Sequence, residues 1–215
     1  YNNVTFAGSG LTTTLTGTLT VNGTLTLANT NSTAGPGLIG GTIEAKGNIV
    51  TSSYGKRASG TLLKVSGTGN QTITGVSTGY LPNLEIVSTG GIVTFVGTLM
   101  WHSTDFTYTS GVVDTGTSTV AFTSNGTVSN TFVPGTVAYN NVTFGGYALT
   151  TVLTGTLTVN GTLTLADTYS VAGAAISGGT IEAKGDIVTT SYGKRGLSGA
   201  LLKVSGSGNQ TITGT

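Results

Sequence analysis

The feature that most constrains this chain is a long internal repeat. The segment 1–30, YNNVTFAGSGLTTTLTGTLTVNGTLTLANT, returns at 139–168 as YNNVTFGGYALTTVLTGTLTVNGTLTLADT, an offset of 138. GGTIEAKGNIVT at Gly40 returns at Gly178 with the same offset, and LLKVSGTGNQTITG at Leu62 returns at Leu201 with an offset of 139. Such repeats are typical of stacked structural units. We therefore expect one continuous repeat structure.

The repeat also defines the predicted organisation of the chain. Residues 1–138 form the first large repeat, and residues 139–215 form a second, truncated one. A weaker internal copy, PNLEIVSTG followed by GTLMWHSTDFTYT, divides the first repeat into modules near 3–82 and 83–138. Because the chain begins with Tyr1 and stops inside a repeated motif, we expect a fragment of a longer protein.

A finer period lies inside the repeat. Eleven short segments have apolar first and third positions and a middle position that is free to be polar or charged, which predicts strands with one buried face. They are VTF (Val4), LTV (Leu19), IEA (Ile43), LKV (Leu63), LEI (Leu84), LMW (Leu99), VAF (Val120), VTF (Val142), LTV (Leu157), IEA (Ile181) and LKV (Leu202). The ten steps from the first to the last have a mean spacing of 19.8. The pattern predicts an all-β fold, a parallel β-solenoid with about 20 residues per coil and roughly 11 coils. A β-sandwich is the alternative fold.

The motif LTVNGTLTL favours a hairpin locally, because Asn-Gly between alternating runs is typical of a type I′ turn. In a two-residue hairpin, however, Val21 would share a face with Thr24. If Asn22 and Gly23 instead form a corner that tolerates a left-handed backbone, the aliphatic residues all point inward. We predict the corner.

Composition excludes several classes of protein. Thr (46), Gly (36), Ser (19) and Asn (14) dominate, charged residues are 7%, and cysteine is absent. A formal charge of +1 gives no reason to expect nucleic acid as a partner, and no apolar run is long enough for membrane insertion. Without cysteine there is neither a disulfide framework nor a thiolate metal site, and we predict no cofactor.

YNNVTF, GTLTVNGTLTL, GTGNQTITG and GSGNQTITG together resemble the Gly/Thr/Asn-rich repeats of very large bacterial surface and secreted proteins, the class of autotransporter and filamentous-haemagglutinin-like adhesins. The resemblance covers essentially the whole chain, but it is one of repeat style. It implies a right-handed β-helix at the cell surface or in the extracellular space, which serves as stalk, fibre or adhesive surface. It implies no catalytic residues.

The best candidate contact site is the YGKR segment, which combines an aromatic residue with two cations beside the one length change between the copies. Its residues are Tyr54, Lys56 and Arg57, with Tyr192, Lys194 and Arg195 in the second copy. The predicted ligand is a glycan, a host surface or a neighbouring chain. An exposed loop whose charges only maintain solubility is the alternative.

Asn-x-Ser/Thr sequons supply candidate glycosylation sites. Two of them, Asn22 and Asn160, already have predicted corner roles. The remaining candidates are Asn3, Asn31, Asn70, Asn125, Asn141 and Asn209.

Glycoside hydrolysis uses paired carboxylates, and the only acidic residues within a few positions of each other are Glu182 and Asp186, the second of which is Asn48 in the first copy. Stacked strands would instead place Glu44, Lys64 and Glu85 above one another as an outer charge ladder. His102, the only histidine, is predicted at a surface corner and not in a metal site or triad. Ice-binding solenoids need a long face of one residue type, and the charge ladder interrupts such a face.

These observations predict a non-enzymatic structural protein, an extracellular or cell-surface rod or fibre that self-associates end to end or side by side. An adhesin that binds glycan or host surface through the YGKR loops is the alternative. A polysaccharide-active enzyme and an ice-binding solenoid are less favoured by the sequence.

Overall fold

The computed structural model describes residues 1–8, 10–28, 37–52, 58–167, 176–191 and 197–214. Over these ranges the chain forms strands and turns, and it contains no helix long and apolar enough to cross a membrane. The first strands are β1 (Val4–Phe6), β2 (Thr13–Thr14), β3 (Thr18–Val21), β4 (Leu25–Ala28), β5 (Leu38–Ile39), β6 (Thr42–Ala45), β7 (Ile49–Ser52), β8 (Ala58–Ser59) and β9 (Leu62–Val65). The middle strands are β10 (Gln71–Gly75), β11 (Tyr80–Leu81), β12 (Asn83–His102), β13 (Phe106–Asp114), β14 (Thr119–Thr123) and β15 (Asn125–Val133). The last are β16 (Ala138–Tyr139), β17 (Asn141–Phe144), β18 (Tyr147–Leu153), β19 (Thr156–Val159), β20 (Leu163–Asp167), β21 (Ile176–Ser177), β22 (Thr180–Ala183), β23 (Ile187–Ser191), β24 (Leu197–Ser198), β25 (Leu201–Val204) and β26 (Ile212–Gly214).

The strands stack as a parallel β-solenoid whose coils have three walls, numbered in the order in which the chain visits them. Wall 1 contains β1, β4, β7, β10, residues 92–97 of β12, residues 112–114 of β13, β16, β19, β22 and β25. Wall 2 contains β2, β5, β8, β11, residues 98–102 of β12, β14, β17, β20, β23 and β26. Wall 3 contains β3, β6, β9, residues 83–87 of β12, residues 106–110 of β13, β15, β18, β21 and β24. This confirms the predicted fold class and excludes the β-sandwich.

The number of coils differs from the prediction. On wall 3, nine described rungs run from β3 to β24, so the chain makes eight turns between them. Six of these turns separate Leu19 from Leu153, which gives about 22 residues per turn. The predicted count of eleven coils was therefore too high, and the predicted coil was slightly too short.

The error comes from three 15-residue steps in the sequence. Val4 pairs with Leu25 on wall 1, whereas Leu19 pairs with Ile43 on wall 3. A step of that length is about two thirds of a turn, so it moves the apolar motif to another wall of the same or the next coil. The eleven segments therefore do not form one column but are shared among the three walls.

The length of a turn also changes the meaning of the large repeat. At about 22 residues per turn, the offset of 138 corresponds to six full turns and one further wall. Val4 accordingly lies on wall 1, whereas its copy Val142 pairs with Val120 and Leu163 on wall 2. Nearly identical sequences thus face different sides of the solenoid.

The corner at Asn22 and Gly23 is confirmed. Val21 and Leu25 are both fully buried, and each pairs in parallel with the next coil. The predicted reason for the glycine was wrong, because Gly23 is not among the described residues with positive φ. Glycine is needed because successive corners approach closely: a Cβ on Gly47 would lie 2.7 Å from the carbonyl oxygen of Asn22 and would also clash with Gly23.

Aromatic rings fill the middle of the core. Phe106 on wall 3 stacks on Trp101 of wall 2, with ring centroids 5.0 Å apart, and on Phe132 of the next coil at 5.3 Å. Trp101 and Phe106 are fully buried. Buried Tyr139 donates its hydroxyl to the Pro134 carbonyl at 3.1 Å, and burial raises the pKa of this tyrosine well above its ordinary value. The aromatic cluster therefore joins several coils through one dry interior.

Candidate functional surfaces

The predicted YGKR contact sites lie outside the described residues. Tyr54, Lys56 and Arg57 belong to the segment between β7 and β8, and Tyr192, Lys194 and Arg195 to the segment between β23 and β24. The adhesin hypothesis built on these six residues stays a prediction.

The sequon asparagines divide into two groups. Asn31 lies outside the described residues, and for Asn125 only the backbone is described. Asn3, Asn70, Asn141 and Asn209 are described, and glycosylation at any of them stays a prediction. The first three of these have a structural role that the sequence analysis missed.

These asparagines connect neighbouring coils at corners. The Oδ1 atom of Asn3 accepts a hydrogen bond from the backbone N–H of Thr24 at 2.7 Å, and the Oδ1 of Asn141 accepts one from Thr162 at 2.8 Å. The same bond to the next coil is made by Asn48, Asn70, Asn83, Asp105 and Asp186. Each of these residues stands at the start of a wall strand or directly before it, which is the sequence signal that would have identified them. They satisfy corner N–H groups that a regular ladder leaves unpaired.

A buried glutamine forms a second corner brace. The Nε2 of Gln71 donates to the carbonyl oxygens of Ala45 at 3.1 Å and Gly47 at 2.7 Å, and its Oε1 accepts from Gly67 N–H at 2.8 Å. Gln71 is 1% exposed. Its copy, Gln210, makes the equivalent three bonds in the coil of β25 and β26. The GNQ motif is therefore a structural clamp between coils.

The predicted outer charge ladder is confirmed. Glu44, Lys64 and Glu85 are register partners on successive rungs of wall 3. Ser66 Oγ donates to Glu44 Oε1 at 3.0 Å, and Lys46 Nζ lies 4.0 Å from the same oxygen. These contacts are those of a partly exposed polar ladder, whose individual pairs contribute little to stability.

The second copy of this ladder lies on wall 1. There Lys203 Nζ donates to Glu182 Oε1 at 2.9 Å, and Ser205 Oγ donates to the same oxygen at 2.8 Å. The hydrogen bond from Lys203, followed by that from Ser205, holds the pKa of Glu182 below its ordinary value.

This gives a pH-dependent prediction. The ionised form of Glu182 is favoured in the folded state, so its contribution to stability is present above the ordinary glutamate pKa and is lost as pH falls through the lower folded pKa. Titration of the Glu182 carboxyl by NMR should show the lowered value, and Lys203→Met should raise it. A Glu182 titration that is unaffected by Lys203→Met would contradict the assigned cause.

The described residues contain no group of three or more His, Cys, Asp or Glu side chains that could hold a metal ion. His102 ends β12 at a corner, with its ring 4.9 Å from the Tyr80 ring and its Nδ1 3.4 Å from Ser103 Oγ. The corner position agrees with the sequence analysis. The aromatic contact was not predicted.

No protein family, curated protein or solved structure matches the chain. The solenoid is therefore defined by the strand register itself, and the likeness to bacterial surface proteins is carried by repeat style alone.

Proposed function

We propose that this chain is a non-catalytic structural segment, a stiff rod within an extracellular or cell-surface fibre. The observation that carries the proposal is the unbroken parallel ladder of wall 3, which links β3 to β24 through every intervening coil. Each coil shares backbone hydrogen bonds and a dry core with its neighbours, so bending the rod would break many contacts together. The repeat style, which resembles autotransporter and filamentous-haemagglutinin-like adhesins, supports the location.

The coil of β25 and β26 has exposed apolar side chains that a further coil would cover. Val65 and Ile73 are 0% exposed because a further coil covers them. Their copies in the coil of β25 and β26, Val204 and Ile212, are 47% and 66% exposed. The chain's own continuation or a coil of a second copy would bury these side chains equally well, so assembly itself has to be measured.

Assembly can be measured by sedimentation velocity over a concentration series and by electron microscopy. We expect filaments with a regular axial repeat. Ile212→Lys should weaken assembly, because the lysine would have to be buried in the new interface. Thr213→Lys is the matched control, since Thr213 is the exposed neighbour of Ile212 on β26 and lies outside the inward-facing set. Compact monomers at all concentrations would overturn the proposal, as would equal effects of the two substitutions.

A further inference from the structure

The first five rungs of wall 1, which we call its lower part, carry a regular array of small side chains. Its strands β1, β4, β7, β10 and residues 92–97 of β12 pair without any shift of register. The first outward column contains Thr5, Thr26, Val50, Thr74 and Val96. The second column lies two residues earlier in the chain and contains Asn3, Thr24 and Asn48, which directly precede their strands, and Thr72 and Thr94, which lie within theirs. All ten side chains are exposed or partly exposed.

The array is regular in two directions. Neighbouring rungs are about 4.8 Å apart, and alternate residues along a strand are about 6.7 Å apart. Threonine and valine have the same branched shape, so the first column presents an unbroken row of γ-carbon atoms. Their χ1 angles are restricted, which fixes the positions of hydroxyl and methyl groups before any partner binds.

The fold places the charge ladder on a different wall from this array, and the nearest described cationic side chain is Lys46, at the corner two residues before Asn48. Glu44, Lys64 and Glu85 face outward from wall 3, whereas both columns of wall 1 from Asn3 to Val96 consist of uncharged residues. Asp114 on the next rung is the first acidic residue that wall 1 presents. The charge ladder, which counted against an ice-binding face in the sequence, therefore lies on a different side of the rod.

We propose that the lower part of wall 1 binds the surface of ice. Hydroxyl and amide groups at regular spacing can join the hydrogen-bond lattice of crystalline water, and the methyl groups between them fit against it without holding water of their own. A charged side chain would retain its hydration shell and disturb the lattice. A crystalline partner also requires a rigid periodic surface, which the in-register ladder provides.

The second large repeat provides an internal comparison. Its corresponding columns lie on wall 2 and include Thr143, Thr164, Val188 and Thr213. There Asp186 replaces Asn48, so a carboxylate stands within the array. We therefore expect wall 1 of the first repeat to be the stronger ice-binding face.

The test uses the full chain in assays of thermal hysteresis and of ice recrystallisation. We expect the chain to slow recrystallisation and to produce thermal hysteresis. The double variant Thr26→Lys and Thr74→Lys should abolish both effects, because it places two cations in the first column. The matched control is Thr20→Lys with Thr107→Lys, at outward positions of wall 3, and it should retain both effects.

Circular dichroism and sedimentation would accompany each variant, so that misfolding and altered assembly are recognised. For a double variant that does not fold, Thr74→Lys alone provides the same comparison. A folded chain without either effect on ice would overturn the proposal, and so would equal loss in the wall 1 and wall 3 variants. Self-association through wall 1 without an effect on ice would assign the face to a second copy instead. The proposal is independent of end-to-end assembly, since it concerns a side wall of a single molecule.

Discussion

Replacing Phe106 with alanine is expected to lower the free energy of unfolding by about 3–5 kcal/mol. The Phe106 ring is fully buried and stacks on Trp101 and Phe132, with Tyr139 edge-on at 6.2 Å. Removing the Phe106 ring leaves a cavity between walls 2 and 3. The neighbouring aromatic rings belong to different coils and cannot all move into it. Denaturant unfolding followed by tryptophan fluorescence measures the loss directly, because Trp101 is the only tryptophan and touches the altered site.

Phe6→Ala is the control for this prediction. Phe6 lies on β1 and is only partly buried, so its truncation removes less buried surface and leaves a smaller cavity. We expect a clearly smaller loss. If Phe106→Ala destabilises the chain no more than Phe6→Ala does, the aromatic cluster is not a central support of the core.

Gln71→Leu should destabilise the chain by at least about 2 kcal/mol, since two backbone groups are left without a partner and each costs about 1–3 kcal/mol when buried. The two groups are the carbonyl oxygen of Gly47 and the N–H of Gly67, whereas the carbonyl oxygen of Ala45 keeps its hydrogen bond from the Ser66 N–H. Leucine has a similar volume, so the substitution tests the hydrogen bonds more than the packing. If the dependence of the unfolding free energy on denaturant concentration is unchanged, the shift of the unfolding midpoint gives the loss of stability.

Gln210→Leu supplies a matched comparison within the same chain. Gln210 makes the same three bonds, but it is partly exposed, so water can replace the lost side chain. We expect a smaller effect there than at Gln71. An equal loss of stability at the two positions would show that burial of the glutamine does not determine the free-energy cost of replacing it.

Much of the fold followed from the sequence because alternation shows which side chains point inward. Ile43, Leu63 and Trp101 are fully buried as predicted, and Glu44 stacks on Lys64. The corner at Asn22 followed from the same rule, because only a forward turn keeps Val21 and Leu25 on one side. The outer residues Val4 and Leu202, near the two ends of the stack, are only partly buried.

The alternation of apolar and polar residues does not show on which wall a strand lies. That depends on the length of each turn, which varies from 20 between Ile43 and Leu63 to 26 between Phe106 and Phe132. The three 15-residue steps are visibly short for a full coil, but the similar strand motifs do not show that these steps change walls. The Gln71 clamp and the corner hydrogen bonds of the asparagines were missed for a related reason. Their partners lie in a neighbouring coil, far away in the sequence.

The wall assignment also separates surfaces that the sequence mixes. Glu44 faces outward from wall 3 in the first repeat, whereas its copy Glu182 faces outward from wall 1. Any ligand that binds one copy of a repeated surface would therefore approach the rod from a different side at the other copy.

The central claim is that the chain winds forward through three walls at about 22 residues per turn. Cross-linking with a short bifunctional thiol reagent tests it directly, because the chain has no cysteine of its own. Glu85 and Thr107 are register partners on wall 3, about 4.8 Å apart, so the pair Glu85→Cys and Thr107→Cys should cross-link rapidly. Met100 instead pairs with Tyr80 and Ala121 on wall 2, so Glu85→Cys with Met100→Cys should not. The reverse pattern, in which Glu85→Cys links to Met100→Cys but not to Thr107→Cys, would contradict the three-walled solenoid.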